Sequence, residues 1–194
     1  MLLTIGSNSK LGKRVGCFNL LRIVTCPGRT ELCSKICYAK KSEVMYKAVR
    51  AMRKRNYEAS KRPDFVDRLV REIDDNHLTL VRYHEDGDVY SQAYLNKLFA
   101  VCERCRSTTF LMYTRSSHLD WGYMPRNLVV YWSKDKTSTR PIPTGGRIAY
   151  MVARGDVPPA GYVTCKPGSE HHYCGDSCNT CWLGKAKGVY FDQH

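Results

Sequence analysis

Two tight groups of cysteines constrain this chain more than any other feature of its sequence. They are Cys26, Cys33 and Cys37 near one end, and Cys165, Cys174, Cys178 and Cys181 near the other. Gaps of six and three residues separate the first three, and gaps of eight, three and two separate the last four. A fold that uses either group must bring its thiols together, and a centre that uses both must also fasten the two chain ends to each other.

The spacing of these groups is more typical of metal ligands than of a disulfide framework. The chain has ten cysteines in 194 residues, whereas secreted disulfide-rich domains are usually smaller. Its start, MLLTIGSNSKLGKRVG, is too short and too broken for the apolar segment of a secretory signal. We therefore expect a cytoplasmic protein, and clustered thiols in a reducing compartment favour metal binding.

Thiolates in such groups bind iron–sulfur clusters or zinc. Four cysteine ligands close a metal centre, whereas three leave a position open to a fourth ligand or to a small molecule. The irregular gaps suit one or two [4Fe–4S] clusters at least as well as zinc, so we expect iron–sulfur binding and keep zinc as the alternative. The spacing leaves open whether the two groups share one cluster.

We expect the other cysteines and the nearby histidines to be structural. Cys102 and Cys105 fall on the apolar face of a predicted helix, and Cys17 falls within a predicted strand. Free cysteines of this kind are typical of protein cores. His171 and His172 flank the second cysteine group, where a loop position is favoured over a ligand role.

The order of hydrophobic patterns predicts an α/β fold. Alternating apolar runs indicate strands, and apolar residues at helical spacing indicate helices. Strands are predicted at 17–26, 78–84, 108–116, 127–134 and 147–153, and helices at 42–61, 62–76 and 91–105. This order favours parallel pairing, in a partial (β/α) barrel or an open, mostly parallel sheet. We expect a single domain over residues 1–194, with a core at 1–155 and a cysteine-rich segment at 156–194 packed on it.

The charge of the chain is strongly basic and unevenly distributed. The formal net charge is +13, and residues 39–62 hold nine Lys or Arg against two Glu. A helix at 42–61 with this composition either forms a solvated face or contacts the phosphates of nucleic acid. No apolar run reaches the roughly 18–20 residues of a membrane span, so we expect no membrane contact.

Polar residues follow two of the predicted strands. VRYHEDGDVYS carries Arg82, His84 and Asp88, and MYTRS carries Arg115. These four are the candidate catalytic residues, because ligands gather at the carboxyl ends of parallel strands and histidine beside carboxylates transfers protons near neutral pH. Strand alternation predicts that Arg82 and His84 face the same way. The structural alternative is a turn held together by Asp–amide and Arg–carboxylate bonds. The candidate cofactor contacts are Tyr38, Gly87, Tyr113 and Ser133.

These motifs resemble the phage-associated gene-product-88-like domain. Members of that family pair an N-terminal CPG…C…CYA with a central R.H..GD..S..Y, followed by YTRS, C..C..CW and a closing F..H. The matching segments are CPGRTELCSKICYA, RYHEDGDVYSQAY, YTRS, CGDSCNTCW and VYFDQH. The resemblance covers nearly the whole chain, and it implies a viral protein that works in the cytoplasm of a bacterial host.

A more distant similarity is to radical S-adenosylmethionine enzymes, which have a partial barrel. In those enzymes a strand leads into a three-cysteine loop, and an aromatic residue lies beside the last cysteine. A Gly-Gly-Glu-type turn follows the next strand, and many carry a C-terminal cysteine-rich segment for a second cluster. Tyr38 and EDGD are the counterparts here, although the cysteine gaps differ from CxxxCxxC. The similarity implies S-adenosylmethionine as a cofactor.

Two functions are compatible with these features. The first is an iron–sulfur protein with redox or radical chemistry, acting on a small molecule or with an electron-transfer partner; whether it is an enzyme stays open. The alternative is a zinc-stapled protein without catalysis that binds nucleic acid through the helix at 42–61. A hybrid of the two, an iron–sulfur enzyme that acts on nucleic acid, fits the same residues.

Overall fold

A computed structural model of the chain describes residues 1–6, 10–165 and 173–193. Its strands are β1 (Thr4–Ile5), β2 (Val15–Phe18), β3 (Leu80–Tyr83), β4 (Thr109–Thr114), β5 (Leu128–Lys134), β6 (Arg147–Val152), β7 (Val163–Thr164) and β8 (Gly188–Asp192). Its helices are α1 (Glu31–Lys35), α2 (Ala39–Met45), α3 (Lys47–Lys61), α4 (Phe65–Asp75) and α5 (Gln92–Arg104). None of the described helices is long and apolar enough to cross a membrane.

The eight strands of the described residues form one sheet in the order β1-β2-β3-β4-β5-β6-β8-β7. The pair β1–β2 is antiparallel, and the other pairs are parallel. Because β1 and β7 remain as edges, the sheet is the open, mostly parallel arrangement, and the α/β class is confirmed. The strand order does not establish a partial barrel.

Both faces of the sheet are buried, as is usual for parallel strands. On β4, Phe110 and Met112 pack on the helical side, while Leu111 and Tyr113 belong to a second cluster on the opposite side. Fully buried helical side chains such as Phe65 cover the first face, and each contributes about 1.5–3 kcal/mol. The second face packs against the C-terminal segment, including Trp182.

The first predicted strand, 17–26, ends at its second residue. The chain then turns toward the loop after β3 instead of continuing the sheet. The side-chain oxygen of Asn19 accepts hydrogen bonds from the N–H groups of Glu85 (2.8 Å) and Asp86 (3.2 Å). Leu20 is fully buried in this loop, so the apolar run reflects packing and not strand pairing.

The basic helix predicted at 42–61 is two helices. Tyr46 has φ −119° and ψ 96°, an extended conformation that ends α2 and begins α3. The buried face of α3 is largely polar, because Arg53, Asn56 and Ser60 point inward. This face holds neighbouring segments through hydrogen bonds, and only the outer face is available to a partner.

The strand β8 is missing from the sequence-based prediction. Its five residues, GVYFD, follow a Gly- and Cys-rich stretch that carries no strand-like pattern. In the fold they pair in parallel with β6. The position of this strand therefore depends on a partner that is distant in the sequence.

Candidate functional site

The loops that follow β2, β3, β4 and β5 meet at the carboxyl edge of the sheet. The turn after β3 packs against the loop after β2, where Leu20 N donates to the carbonyl oxygen of Asp86 (2.9 Å). Gly87 has φ +82°, and a Cβ there would lie 2.6 Å from both Leu20 Cβ and Thr25 Oγ1. Only glycine fits both this conformation and this close approach.

Asp88 joins the ends of β3 and β4. Its carboxylate accepts hydrogen bonds from Thr114 Oγ1 (2.6 Å), Arg115 N (2.8 Å) and Val89 N (2.7 Å). Burial raises the pKa of Asp88 to about 6, although the three hydrogen bonds lower it in part. These contacts match the structural alternative from the sequence, a turn held together by bonds from amide groups to an aspartate. A catalytic role for Asp88 stays a prediction.

Arg115 anchors the cysteine loop through a carboxylate that sequence analysis missed. Its Nη2 atom lies 3.0 Å from Oδ2 of Asp135, which is completely buried. Asp135 also accepts from Thr30 Oγ1 (2.6 Å), and Thr30 caps α1 by accepting from Cys33 N (3.0 Å). Burial alone would raise the pKa of Asp135, but the hydrogen bonds from Thr137 and Thr30, together with Arg115, lower it overall.

The chain of contacts from Arg115 through Asp135 and Thr30 fixes the backbone at Cys33. Part of it has a signal in the sequence, since threonine three residues before Cys33 is a typical helix N-cap. No local sequence pattern predicts the role of Asp135, because this residue follows β5, far from Thr30 in the sequence.

The thiol groups of Cys26, Cys33 and Cys37 lie together in this loop, and we call them the first thiol group. All three are free and half-buried. The pKa of Cys26 is raised to about 12, mainly by burial and in part by the nearby Asp88, Cys33 and Cys37. Burial also raises the pKa of Cys33. The three thiols therefore lie close enough to interact electrostatically, and their role as metal ligands stays a prediction.

The other four predicted ligands form a second thiol group. Burial raises the pKa of Cys165 to about 12, and the neighbouring thiols of Cys181, Cys174 and Cys178 contribute. Trp182 Nε1 donates to the sulfur of Cys174 (3.3 Å).

The backbone of the second thiol group lies near the amino end of β2 at Cys174 and Gly175, while its thiols lie beside Arg82 and Tyr113 on the second face of the sheet. The backbone of Cys174 pairs with Lys10 and Gly12 (3.1 and 2.9 Å), which precede β2. A Cβ on Gly175 would lie 2.5 Å from Val15, the first residue of that strand. The first thiol group follows the same strand, so the two groups occupy different places on the sheet.

In the described part of the chain, no three side chains of His, Cys, Asp or Glu converge closely enough to hold one metal ion. His171 and His172 lie outside the described residues, as do residues 166–170 between Cys165 and Cys174.

The prediction that Arg82 and His84 face the same way is wrong. His84 follows β3 with φ +63°, a left-handed conformation that breaks the strand alternation. Its Nε2 atom lies 2.8 Å from Tyr94 Oη in the helical side of the core. Burial, with a contribution from Arg82, lowers the pKa of His84 to about 3. His84 is therefore a neutral core residue near pH 7.

Arg82 lies on the opposite face, beside the second thiol group. Its guanidinium carbon is 4.8 Å from the centre of the Tyr113 ring. Burial lowers the pKa of Arg82, but Glu85 and Tyr113 raise it by more. The structure therefore separates Arg82 and Tyr113 from Asp88 and Arg115, which lie at the carboxyl edge.

Tyr38, which follows the last cysteine of the first thiol group, contacts the turn after β3. The residue as a whole is 56% exposed, and its hydroxyl donates to the carbonyl oxygen of Glu85. This contact joins the two segments compared with those of radical S-adenosylmethionine enzymes.

A cleft of about 410 Å³ opens beside the first thiol group, between the ends of β4 and β5. The loop after Cys26 forms one wall and the loop after β5 forms another. Residues that line it include Gly28, Thr30, Arg115, Trp132, Ser133 and Lys134. Among the candidate cofactor contacts, Ser133 lies in this cleft.

Comparisons with known proteins identify the family. The model of the family described as Gene product 88 matches residues 2–189. The Gene 88 protein of Mycobacterium phage L5 is 30% identical over 131 residues, which cover 57% of this chain and 52% of the relative. The Gene 88 protein of Mycobacterium phage D29 is 31% identical over 102 residues, or 47% of this chain and 42% of the relative.

The chain thus spans about half the length of the curated relatives it matches. No solved structure matches it. Because the family model covers nearly the whole chain, this protein is a phage gene product that belongs to the gene product 88 family.

Proposed function

We propose that this protein is an iron–sulfur protein whose first thiol group binds a [4Fe–4S] cluster. One observation carries the proposal: Cys26, Cys33 and Cys37 lie together and half-buried at the carboxyl edge of a parallel sheet, beside a cleft. This is the edge where α/β proteins bind their ligands. The proposed location is the cytoplasm of an infected bacterium, where thiols stay reduced.

The arrangement of the thiols fits a cluster better than a zinc ion. A structural zinc takes four ligands within about 2.3 Å, and the first thiol group supplies three cysteines. The cysteine ligands of a cluster bind different iron atoms and therefore stand further apart. The soft, thiol-only donor set suits iron–sulfur binding as well.

The second thiol group supports a second cluster. It supplies four cysteines, enough to close a [4Fe–4S] centre without an outside ligand. Its thiols lie against Arg82, Tyr113 and Trp182, so such a cluster would be shielded on the sheet side. A closed centre of this kind would serve electron transfer or structure.

A [4Fe–4S] cluster held by the three cysteines of the first thiol group would have one iron without a cysteine ligand. A three-ligand cluster supplies one-electron redox chemistry and an open coordination position. Asp88, Asp135 and Arg115 hold the loops around it, and Arg115 also lines the cleft. S-adenosylmethionine is the cofactor that we propose for the open position, since Tyr38 contacts the turn after β3.

Anaerobic metal analysis tests the iron–sulfur proposal. The purified chain should be brown, contain iron and acid-labile sulfide in equal amounts, and absorb broadly near about 400 nm, as is typical of Cys-bound clusters. Cys33→Ala should lower both contents, whereas Cys105→Ala should not. Cys105 is a matched control because it is buried beside α5 and belongs to neither thiol group.

A colourless protein that contains zinc would contradict the proposal. So would equal loss of iron from both variants, because the effect would then be one of folding. Circular dichroism of both variants distinguishes loss of a cluster ligand from loss of folding.

A second candidate, a zinc-stapled protein that binds nucleic acid, is favoured by one surface. The residues Tyr38 and Tyr46 are 56% and 57% exposed, and α3 carries exposed basic residues such as Lys47, Arg50 and Arg55. Stacking on aromatic rings combined with phosphate contacts is how proteins bind single strands. Arg53 takes no part, because it is buried against Asp86 and Glu43.

Salt-dependent binding to a single-stranded oligonucleotide tests this candidate. Arg50→Gln should weaken binding and reduce its salt dependence, and Arg71→Gln on α4 is the matched control. Equal effects of both variants, or binding that salt does not change, would contradict a specific surface.

A further inference from the structure

The cleft beside the first thiol group has an excess of positive charge. Its lining includes the cations Arg29, Lys134 and Arg140 and the carboxylate Glu31. Among the described residues, these three cations form no ion pair with a carboxylate. Arg115 is different, because the buried Asp135 already neutralises it.

The backbone and a histidine position two of these cations without neutralising them. Arg29 Nη1 donates to the carbonyl oxygen of Cys26 (3.1 Å). Arg140 Nη1 lies 2.8 Å from Nδ1 of His118. Burial and the charge of Arg140 lower the pKa of His118, so His118 adds no positive charge near pH 7. Both guanidinium groups are held at the cleft while keeping their full charge.

The charge and size of the cleft indicate the class of its ligand. Three cations against one carboxylate leave two positive charges in excess, which matches the −1.5 to −2 charge of a phosphate monoester at pH 7. Hydroxyl groups of Ser117, Ser138 and Thr139 add hydrogen-bonding capacity around these charges. A volume of about 410 Å³ lies within the 300–1,000 Å³ range of small-molecule sites.

We propose that this cleft binds a phosphorylated small molecule of about mononucleotide size, with the phosphate between Lys134 and Arg140. The cleft also lies at the carboxyl ends of β4 and β5, where open α/β sheets bind ligands. The proposal does not depend on the iron–sulfur assignment, because the phosphate-binding groups are side chains outside the first thiol group.

Isothermal titration calorimetry tests the proposal with inorganic phosphate, adenosine 5′-monophosphate and adenosine. The first two should bind and the uncharged nucleoside should not. Lys134→Gln and Arg140→Gln should each raise the Kd for adenosine 5′-monophosphate about tenfold or more, since each removes a charge-assisted hydrogen bond.

Lys136→Gln is the matched control, because it removes the same charge from the same loop. Lys136 does not line the cleft and pairs with Asp156 (2.8 Å). This variant should keep its Kd within about twofold, as expected for a distant, screened charge. Thermal melts establish folding, and Arg140→Gln carries the test if Lys134→Gln is unstable.

Four results would overturn the proposal: absence of binding by both phosphate compounds, equal binding of adenosine, equal loss in Lys136→Gln, or binding of an oligonucleotide alone. Iron and sulfide contents measured on the same samples distinguish failure of this proposal from failure of the iron–sulfur assignment.

Discussion

A Cβ at position 28 would overlap the carbonyl oxygen of Arg115, because the backbone of Gly28 lies directly against the chain that leaves β4. This contact joins the CPG motif of the cysteine loop to the YTRS motif. Since Cys26 lies just before Gly28, the approach helps to fix where the first thiol group begins.

Gly28→Ala should destabilise the protein by about 1–3 kcal/mol, the usual cost of forcing an extra carbon into a packed contact. Urea unfolding measures the change. Gly122→Ala is the control: Gly122 is exposed, and its nearest neighbour would be Asp120 Oδ1 at 3.2 Å. Equal stability of the two variants would mean that the loop can move away from Arg115 at no cost.

Asp135→Asn should destabilise the fold by about 3–5 kcal/mol, because it leaves the half-buried Arg115 cation without its partner. Thr30, and with it the cap of α1, loses a charged acceptor as well. Asp67→Asn, which breaks an exposed pair with Arg104, should have little effect. Similar unfolding midpoints for the two variants would show that the Arg115–Asp135 pair does not hold the loop.

His84 should make the protein less stable in acid. The pKa of His84 falls from its ordinary value of 6.5 to about 3 in the folded state. Below pH 6.5, His84 therefore binds a proton in the unfolded chain but stays neutral in the folded chain. The contribution of neutral His84 to the free energy of unfolding is fully present above pH 6.5. It is lost as the pH falls toward 3, by about 1.4 kcal/mol per pH unit within that window.

His84→Asn is the variant for this test, since asparagine tolerates the positive φ and does not titrate. Between pH 7.5 and pH 5, the free energy of unfolding should fall more in the natural protein than in the variant. Burial raises the pKa of Asp86 and of Asp88 to about 6, which stabilises the fold as pH falls. Both proteins share that opposite contribution, so the difference isolates His84; parallel curves would contradict the assignment.

Metal content should divide between the two thiol groups if each binds its own cluster. Replacing Cys26, Cys33 and Cys37 with alanine should remove one cluster and leave the other. Replacing Cys174, Cys178 and Cys181 should do the reverse. Iron analysis distinguishes this result from a shared centre, which either triple variant would empty.

Local sequence patterns predicted much of the architecture. The alternation of Phe110 and Met112 with Leu111 and Tyr113 marks β4, and it also assigns each pair to one face of the sheet. Cys102 on the apolar face of α5 and Cys105 at its C-terminal cap are both buried, as predicted. Such features depend on neighbours within a few residues, so a sequence displays them directly.

Features that depend on residues far apart in the sequence were not predicted. Asp135 has no local signal, yet it connects Arg115 with Thr30 across the cleft. His84 departs from strand alternation because the turn that packs on Leu20 and Thr25 imposes a positive φ at its start. The basic segment at 42–61 breaks at Tyr46, although composition alone favours one helix.

The sequence by itself determined the α/β class, the membership of each cysteine in its group and the excess of positive charge, because composition and short-range spacing encode them. Only the tertiary structure decided that the two thiol groups occupy different places on the sheet, and that His84 and Arg82 lie on opposite faces. It also decided that three cations face one cleft. These outcomes depend on how strands from distant parts of the chain come into register, and spacing along the chain carries no record of that pairing.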